Sequence, residues 1–223
     1  MGQIYELFSY FCDMIKIFYF NDLRTCCYVI YDQNGKCAIV DPGCYKQSER
    51  DRLVKFVQEN NLTPLMIIQT HGHFDHVMGN AFVTEQWGIP TYINENDLDQ
   101  VQRSSSYANY FGYEFDSPNG RFINLEDGDI INIGDIQLKV FTTPGHTAGG
   151  VVLYNEAEKY LITGDTLFQG SIGRTDLPGG DYDSLMESIR TKILVLPNET
   201  QVYPGHGPST SIAYEKMNNP FLG

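Results

Sequence analysis

Three of the five histidines in this chain lie within six positions, in the segment His71-Gly72-His73-Phe74-Asp75-His76. Imidazole nitrogens and carboxylate oxygens are ligands for borderline divalent metals such as zinc. Histidines two positions apart on an irregular loop can direct both imidazoles at one metal, while Asp75 and His76 can turn toward a second. At this chain's composition the pattern would arise by chance with a probability on the order of one in ten thousand. The segment therefore predicts a metal site.

The two remaining histidines occupy comparable positions. His146 and His206 each follow a strand-like run and are flanked by glycine. Asp165 stands in the same context, directly after a strand-like run and after Gly164, which lets the backbone turn sharply. All five histidines and this aspartate are therefore candidates for one shared site on loops that follow strands.

Strand-like and helix-like segments alternate along the chain. The stretch 48–61 predicts a helix with Ser48 as its N-cap, and 64–70 predicts a buried strand that ends at the histidine cluster. Asn34-Gly35 favours a hairpin between early strands. Strands are predicted at 14–20, 26–32, 36–43, 91–95, 122–125, 130–133, 136–142, 149–155, 159–165 and 201–207, and a second helix at 183–196. This order predicts an α/β fold with two sheets packed face to face and helices outside.

Length and charge restrict the organisation and the partners. A chain of 223 residues with 42% apolar residues predicts one large domain, which we place at 14–223. Residues 1–13 are expected to form an appended helical or disordered arm that need not be native, because Met14 could equally begin the chain. The net charge of −13 predicts no nucleic-acid partner and no membrane partner.

Cysteine usage and hydropathy predict the compartment. The five cysteines are odd in number and form no C-x-x-C pair, which is typical of reduced thiols. The N-terminus lacks the features of a signal peptide, and no apolar run is long enough to span a bilayer. We therefore expect a cytoplasmic protein, either a monomer or a homodimer.

Four segments together resemble the metallo-β-lactamase superfamily in order and spacing. They are the 71–76 cluster, Pro144-Gly145-His146-Thr147, Gly164-Asp165-Thr166-Leu167-Phe168 and Pro204-Gly205-His206-Gly207. The stretch 164–181 is also similar to the glyoxalase II-like hydrolases, especially their short single-domain members. The resemblance implies a four-layer αββα sandwich of two mixed sheets, with two metal ions at the edge between the sheets.

The resemblance also implies a role for each residue of the site. It assigns His71, His73 and His146 to one metal, Asp75, His76 and His206 to the other, and Asp165 to a bridge between them. Asp75 and Asp165 are thereby catalytic residues as well, and Asp41 would brace the ligand loop. This donor set suits Zn²⁺ best, although iron and manganese accept it too.

Substrate contacts are less sharply defined by the sequence. Arg174 could bind a substrate carboxylate or pair with Asp176, and Tyr45 could line the mouth of the site. The aromatic segment 106–116 could form a flap over the site, a core patch or a dimer contact. These alternatives remain open at the level of sequence.

The leading functional prediction is a dinuclear metal-dependent hydrolase of a small acyl thioester, similar to hydroxyacylglutathione hydrolases. A metal-bridging hydroxide would attack the carbonyl, and a thiolate is a good leaving group. Two-domain glyoxalase II enzymes bind glutathione with a C-terminal helical domain, whereas this chain ends 17 residues after His206. The sequence therefore does not predict glutathione as the thiol.

Two other functions remain as alternatives. A persulfide dioxygenase with a single iron, held by His71, His146 and Asp165, resembles the same motifs and also carries a segment like Gly173–Asp176. A metal-binding module without turnover is the other alternative, but a structural zinc site normally closes with four ligands and leaves no open position. A class B1 β-lactamase is not expected, because Asp165 stands where those enzymes have cysteine.

Overall fold

The computed structural model describes residues 15–223, so the predicted arm at 1–13 lies outside the described residues. Its first sheet has the spatial order β1-β2-β3-β4-β5-β6, with β1 to β3 antiparallel and β3 to β6 parallel. The strands are β1 (Ile15–Phe20), β2 (Thr25–Tyr31), β3 (Lys36–Val40), β4 (Thr63–Ile68), β5 (Thr91–Ile93) and β6 (Phe122–Asn124). The predicted hairpin at Asn34-Gly35 is confirmed, since Gly35 has a φ of 77° and joins β2 to β3.

The second sheet has the order β14-β13-β10-β9-β8-β7, in which β10 and β13 are parallel and the other pairs antiparallel. Its strands are β7 (Ile130–Ile133), β8 (Ile136–Thr142), β9 (Val151–Asn155), β10 (Tyr160–Gly164), β13 (Gln201–Pro204) and β14 (Thr210–Ser211). A separate ribbon pairs β11 (Leu167–Phe168) with β12 (Ser171–Ile172). Both large sheets are therefore mixed, as predicted.

Seven α-helices flank the sheets or lie in loops of the described chain. They are α1 (Gln47–Glu59), α2 (Phe74–Val77), α3 (Asn80–Trp87), α4 (Leu98–Gln102), α5 (Ser104–Ala108), α6 (Tyr182–Ser188) and α7 (Ile212–Asn218). Two 3₁₀ turns cover Glu95–Asp97 and Asn109–Phe111, and a π turn at Ile189–Ile193 extends α6. No helix among residues 15–223 is both long and apolar enough to cross a bilayer.

The prediction of Ser48 as the N-cap of the first long helix is wrong. Helix α1 begins at Gln47, and Lys46 occupies the N-cap position. The side chain of Glu49 reaches back and accepts hydrogen bonds from the backbone N–H groups of Tyr45 and Lys46, both at 2.9 Å. Glu49 therefore satisfies free donors at the start of the helix, and the helix starts earlier than a serine cap would place it.

The core fills the space between the two sheets and the space between each sheet and its helices. Buried side chains between the sheets include Tyr28, Ile30, Val40, Ile68, Leu138, Val140, Leu153 and Ile162. On the far side of the first sheet, Leu53 of α1 and Val83 of α3 join a second cluster. Leu185 of α6 joins a third cluster outside the second sheet. The predicted four-layer αββα sandwich is confirmed.

The strands that carry the predicted ligands end at one edge of the sandwich. In the second sheet β8, β10 and β13 run in the same direction, since β8 and β10 are both antiparallel to β9 and β10 is parallel to β13. At the end of β4, the carbonyl of Thr70 accepts a hydrogen bond from the N–H of Val151, at 2.8 Å. This bond joins the two sheets at that edge and brings their loops together.

Candidate metal centre

All seven predicted ligand side chains meet at this edge. The ligand atoms of His71, His73 and His146 lie within 4.8 Å of one another, and the same holds for Asp75, His76 and His206. The carboxylate of Asp165 lies between the two trios. Its oxygens are 3.4 Å from Nε2 of His76 and 3.6 Å from Nε2 of both His146 and His206. The geometry thus provides two groups of three donors and one carboxylate that reaches both.

Local structure explains how four of these residues come from six positions. Strand β4 ends at Ile68, and the chain then runs as an irregular loop through His71 and His73. The short helix α2 begins at Phe74 and carries Asp75 and His76 on its first turn. The change from loop to helix separates the two donor pairs, so each pair contributes to a different trio.

Three buried imidazole nitrogens have no hydrogen-bond partner. They are Nε2 of His71, His73 and His146, and they converge on one point. A buried polar group without a partner costs about 1–3 kcal/mol, so native proteins rarely leave several together. A divalent cation at that point would satisfy all three, and neutral imidazole is the ligand such a cation prefers. The donors present therefore fit a metal ion.

The two histidines of the second sheet, His146 and His206, are each held by a hydrogen bond from Nδ1, which fixes the direction of the ring. Nδ1 of His146 donates to the carbonyl of Arg174 at 2.7 Å, and Nδ1 of His206 donates to the carbonyl of Leu23 at 3.1 Å. A ring that donates through Nδ1 in its neutral form presents the Nε2 lone pair to the site. The second-sheet histidines are therefore oriented for metal binding.

Asp41 braces the ligand loop from inside the protein. One of its carboxylate oxygens accepts from the N–H of Thr70 at 2.7 Å, and the other accepts from the Thr70 hydroxyl at 2.6 Å. The second oxygen also lies 2.9 Å from Nδ1 of His76. The backbone of Asp41 has a φ of 49°, a conformation that aspartate tolerates better than most residues. Asp41 thus holds both the backbone that precedes His71 and the ring of His76, and its supporting role in metal binding stays a prediction.

Burial keeps two of the histidines neutral. It lowers the pKa of His71 well below the ordinary value, and the neighbouring imidazoles lower it further. Burial, followed by the charge of His146, lowers the pKa of His73 to about 4. Both rings are therefore unprotonated at neutral pH and can act as ligands without losing a proton.

The carboxylates reverse this effect at His76 and His206. Burial alone would lower the pKa of His76, but the surrounding charges, chiefly Asp75 and Asp165, raise it well above the ordinary value. The pKa of His206 is raised as well, since its bond to Asp75 and the charge of Asp165 outweigh burial. The same contacts lower the pKa of Asp75 and of Asp165 against the effect of burial. In the absence of metal, protons on these imidazoles compensate the two carboxylates.

Two glycines allow the loops to approach so closely. Gly164 has a φ of 47°, and a Cβ there would collide with the side chain of Thr70. A Cβ on Gly205 would collide with the Asp165 carboxylate and would lie 2.8 Å from the His76 ring. Glycine at these positions therefore leaves the space that the site occupies.

The prediction from sequence missed Asp97, a buried carboxylate that joins two ligand loops. One oxygen accepts from the N–H of Gly72 at 2.8 Å and from the hydroxyl of Thr147 at 2.7 Å. The other accepts from the N–H of Gly149 at 2.7 Å. Asp97 follows β5 closely, and this position after a strand is the signal that drew attention to Asp165. It fixes the loop of His71 and His73 relative to the loop of His146.

The structure gives both predicted substrate contacts, Arg174 and Tyr45, partners within the protein. Arg174 forms two hydrogen bonds to Asp176, at 2.7 and 2.8 Å, so the structure contains the pairing that the sequence left open. The Tyr45 hydroxyl accepts from the N–H of Glu114 at 3.4 Å, and its ring packs edge-on against Tyr113. Contact of either side chain with a substrate stays a prediction.

Comparison with known proteins agrees with the fold. The model of the metallo-beta-lactamase superfamily matches residues 21–206. The chain belongs to this superfamily, as the sequence motifs predicted. It is 40% identical over 191 residues to the probable metallo-hydrolase YqgX of Bacillus subtilis, a match that covers 85% of this chain and 88% of that protein. It is 37% identical over 203 residues to the hydroxyacylglutathione hydrolase GloC of Haemophilus influenzae, covering 88% and 92%.

Solved structures give the same result. The BLEG-1 B3 metallo-beta-lactamase superposes with a TM-score of 0.84 at 37% identity, and the match covers 94% of this chain and 99% of that one. TTHA1623, solved in a di-iron-bound form, also superposes with a TM-score of 0.84, at 35% identity over 93% and 100% of the two chains. The chain is thus similar over almost its full length to proteins of this superfamily.

Proposed function

We propose that this protein hydrolyses acyl thioesters with the help of two divalent metal ions. The observation that carries the proposal is the convergence of three unpartnered buried imidazole nitrogens beside a second trio, with Asp165 between them. His71, His73 and His146 would hold one ion, Asp75, His76 and His206 the other, and Asp165 both. When bound, such ions act as Lewis acids toward a carbonyl oxygen and lower the pKa of water to about 7.

The protein's own residues hold this arrangement in place. Asp41 fixes the His76 ring through Nδ1, and the Thr25 hydroxyl donates to Asp75 at 2.8 Å. Asp97 holds two of the ligand loops together. The pKa of Asp75 and that of Asp165 are both lowered, so each carboxylate would be available as an anionic ligand without first losing a proton.

Different observations support the choice of a thioester as substrate and the choice of metal. The similarity to a protein named hydroxyacylglutathione hydrolase supports a thioester, and the net charge of −13 supports a small molecule over a nucleic acid. Five histidines and two carboxylates favour zinc, whereas the similar protein TTHA1623 was solved in a di-iron-bound form. We propose zinc, with iron as the alternative.

Metal analysis together with an activity comparison tests the proposal. The purified protein is expected to bind about two metals per chain and to hydrolyse acyl thioesters. The His73→Ala and Asp165→Ala variants should lose more than about 100-fold in rate, beyond what loss of a supporting contact costs. Asp183→Asn, on an exposed turn of α6, is the control and should keep full activity.

Two further substrates separate the alternatives. Oxygen uptake with glutathione persulfide by the iron-loaded protein, together with no thioester hydrolysis, would replace the proposal by the dioxygenase. Nitrocefin tests for β-lactam hydrolysis, since one similar structure is that of a metallo-beta-lactamase. A single tightly bound metal and no hydrolysis of any thioester would refute the proposal.

A further inference from the structure

Five aromatic rings form a continuous surface beside the metal centre, which we call the aromatic wall: Tyr45, Phe74, Tyr107, Phe111 and Tyr113. Phe74 is its middle member and lies in the ligand segment, between His73 and Asp75. Its ring stacks on Phe111 with centroids 5.6 Å apart and lies 5.7 Å from Tyr113. Tyr107 and Phe111 also pack edge-on at 5.3 Å. The segment 104–115 is thereby attached to the ligand loop itself.

A groove of about 340 Å³ opens between this wall and the loop that follows Asp176. Phe74 and Tyr107 of the wall line it, together with Leu177, Pro178 and the proposed ligand His73. A cavity of ~150 Å³ already holds benzene, so a group of hexyl or benzyl size fits here. The groove therefore offers a largely apolar space that begins at a proposed metal ligand.

The charged side chains at the groove are already paired. Arg103 lines it and forms an ion pair with Asp99 at 2.9 Å, and Arg174 is held by Asp176. Asp97 at its base accepts three hydrogen bonds from the protein. The charge of each arginine is therefore largely compensated by its own carboxylate partner, and burial of apolar surface is the main interaction that this groove offers.

We propose that the groove and the aromatic wall bind an apolar acyl group of the substrate. This inference rests on the proposed function, because a thioester carbonyl at the metal centre would place one of its substituents beside His73. The acyl chain would then lie along Phe74 and Tyr107. The substrate class is accordingly a thioester with a medium-length aliphatic or an aryl-substituted acyl group.

The test is a series of acetyl, butyryl and hexanoyl thioesters of one thiol, N-acetylcysteamine. The value of kcat/KM should rise about fourfold for each added methylene, equal to ~0.8 kcal/mol, until the groove is filled. Tyr107→Ala removes a lining ring and Phe111→Ala removes the ring that stacks on Phe74, so both should flatten the series by lowering kcat/KM for the hexanoyl thioester much more than for the acetyl thioester. Both variants should keep the metal content of the parent. Tyr107→Phe keeps the apolar ring and should restore the slope. Both alanine positions are partly exposed, so these variants are expected to fold.

Tyr110→Ala is the matched control. Tyr110 lies on the same 3₁₀ turn as Phe111, but its side chain is 87% exposed. It should therefore leave the whole series unchanged. If Tyr110→Ala flattens the series as much as Tyr107→Ala does, any change in the segment 104–115 affects the series. The assignment of the acyl group to the groove is then wrong.

Other outcomes separate this inference from the proposed function. If the acetyl thioester is hydrolysed but kcat/KM does not depend on acyl length, the inference is overturned and the proposed function stands. A second comparison uses the acetyl thioesters of ethanethiol and hexanethiol. If kcat/KM rises with the length of the thiol and not with that of the acyl group, the inference is also overturned. If the parent protein is a dimer in solution and Phe111→Ala is a monomer with an unchanged series, the inference is overturned and the wall is assigned to subunit contact. If no thioester is hydrolysed, calorimetry can still compare the binding of hexanoate with that of acetate. Equal affinities refute an apolar binding groove, and at least tenfold tighter binding of hexanoate supports it.

Discussion

The carboxylate of Asp41 lies 2.9 Å from Nδ1 of His76, and both side chains are fully buried. Its hydrogen bonds go to this ring and to Thr70, so its effect on the site passes through these two residues. An imidazole whose Nδ1–H points at a carboxylate is fixed in orientation and is a stronger ligand at Nε2. Asp41 therefore acts as a positioning residue for His76.

Asp41→Asn should weaken metal binding without unfolding the protein. Asparagine tolerates the left-handed backbone at this position but removes the negative charge beside His76. We expect a loss of about 10- to 100-fold in affinity for the more weakly held metal, measured by competition with a chromogenic chelator. Asp51→Asn, an exposed change on α1, is the control. Unchanged affinity in Asp41→Asn would show that His76 does not need its partner.

Asp97→Ala should reduce both stability and metal content. The change leaves the N–H groups of Gly72 and Gly149 and the Thr147 hydroxyl without their acceptor, and each buried group costs about 1–3 kcal/mol. We expect the free energy of unfolding in urea to fall by about 3 kcal/mol or more for the metal-free protein. Asp99→Ala removes only an exposed ion pair and should cost less than ~1 kcal/mol. Equal effects of the two changes would contradict the role of Asp97.

Metal affinity should fall as the pH is lowered. The neighbouring carboxylates raise the pKa of His206, and they raise the pKa of His76 well above its ordinary value, so both rings keep their protons to a higher pH in the metal-free protein than an ordinary histidine does. A cation must displace these protons, whereas His71 and His73 are already neutral. Calorimetry in buffers of different ionisation enthalpy should therefore detect proton release on binding at pH 7. A heat of binding that is the same in all buffers would exclude proton release.

The described thiols should resist alkylation in the native protein. Burial raises the pKa of Cys26 to about 11 and those of Cys37 and Cys44 to about 12. Because only the thiolate reacts, iodoacetamide at pH 8 should label these residues slowly in buffer and fully in urea. A Cys12→Ser background removes the cysteine outside the described residues. Rapid native labelling of Cys44, read by mass spectrometry, would contradict its burial.

The raised pKa values of these buried thiols predict that the protein loses stability at alkaline pH. Above the ordinary pKa of 9.0 the thiol ionises in the unfolded chain, whereas the buried thiol stays protonated because folding raises its pKa. The unfolded state then binds fewer protons than the folded state. The folded state is therefore progressively destabilised as the pH rises from 9 toward about 11 to 12. In the Cys12→Ser background, Cys26→Ala should show less destabilisation between pH 9 and 11 than its parent. Parallel pH profiles of the two proteins would contradict this.

The seven candidate ligands could be predicted from the sequence because each follows a strand that the hydrophobic pattern also indicates. His146 and Asp165, for example, lie shortly after the runs that form β8 and β10. The role of Asp97 could not be predicted, because its partners Gly72 and Thr147 are 75 positions apart in the sequence and meet only in the fold. The aromatic segment was ambiguous for a similar reason, since only the three-dimensional structure places Phe111 on Phe74.

The helix boundary at α1 shows a different limit. Ser48 and Glu49 are both common near helix starts, and the local sequence does not decide which residue supplies the cap. The choice depends on Asn21, whose backbone N–H donates to Glu49 at 2.7 Å from a distant turn. Tertiary contacts of this kind are absent from any local pattern.

The hydrogen bond between Thr70 and Val151 marks a seam at which the first part of the chain meets the second. Each donor trio draws on both sides of that seam, because His146 completes one and His206 completes the other. In a growing polypeptide the trio of His71, His73 and His146 is therefore incomplete before position 146, and the trio of Asp75, His76 and His206 is incomplete before position 206. Both proposed ions could then bind only after the ligand-bearing region has been synthesised and has folded.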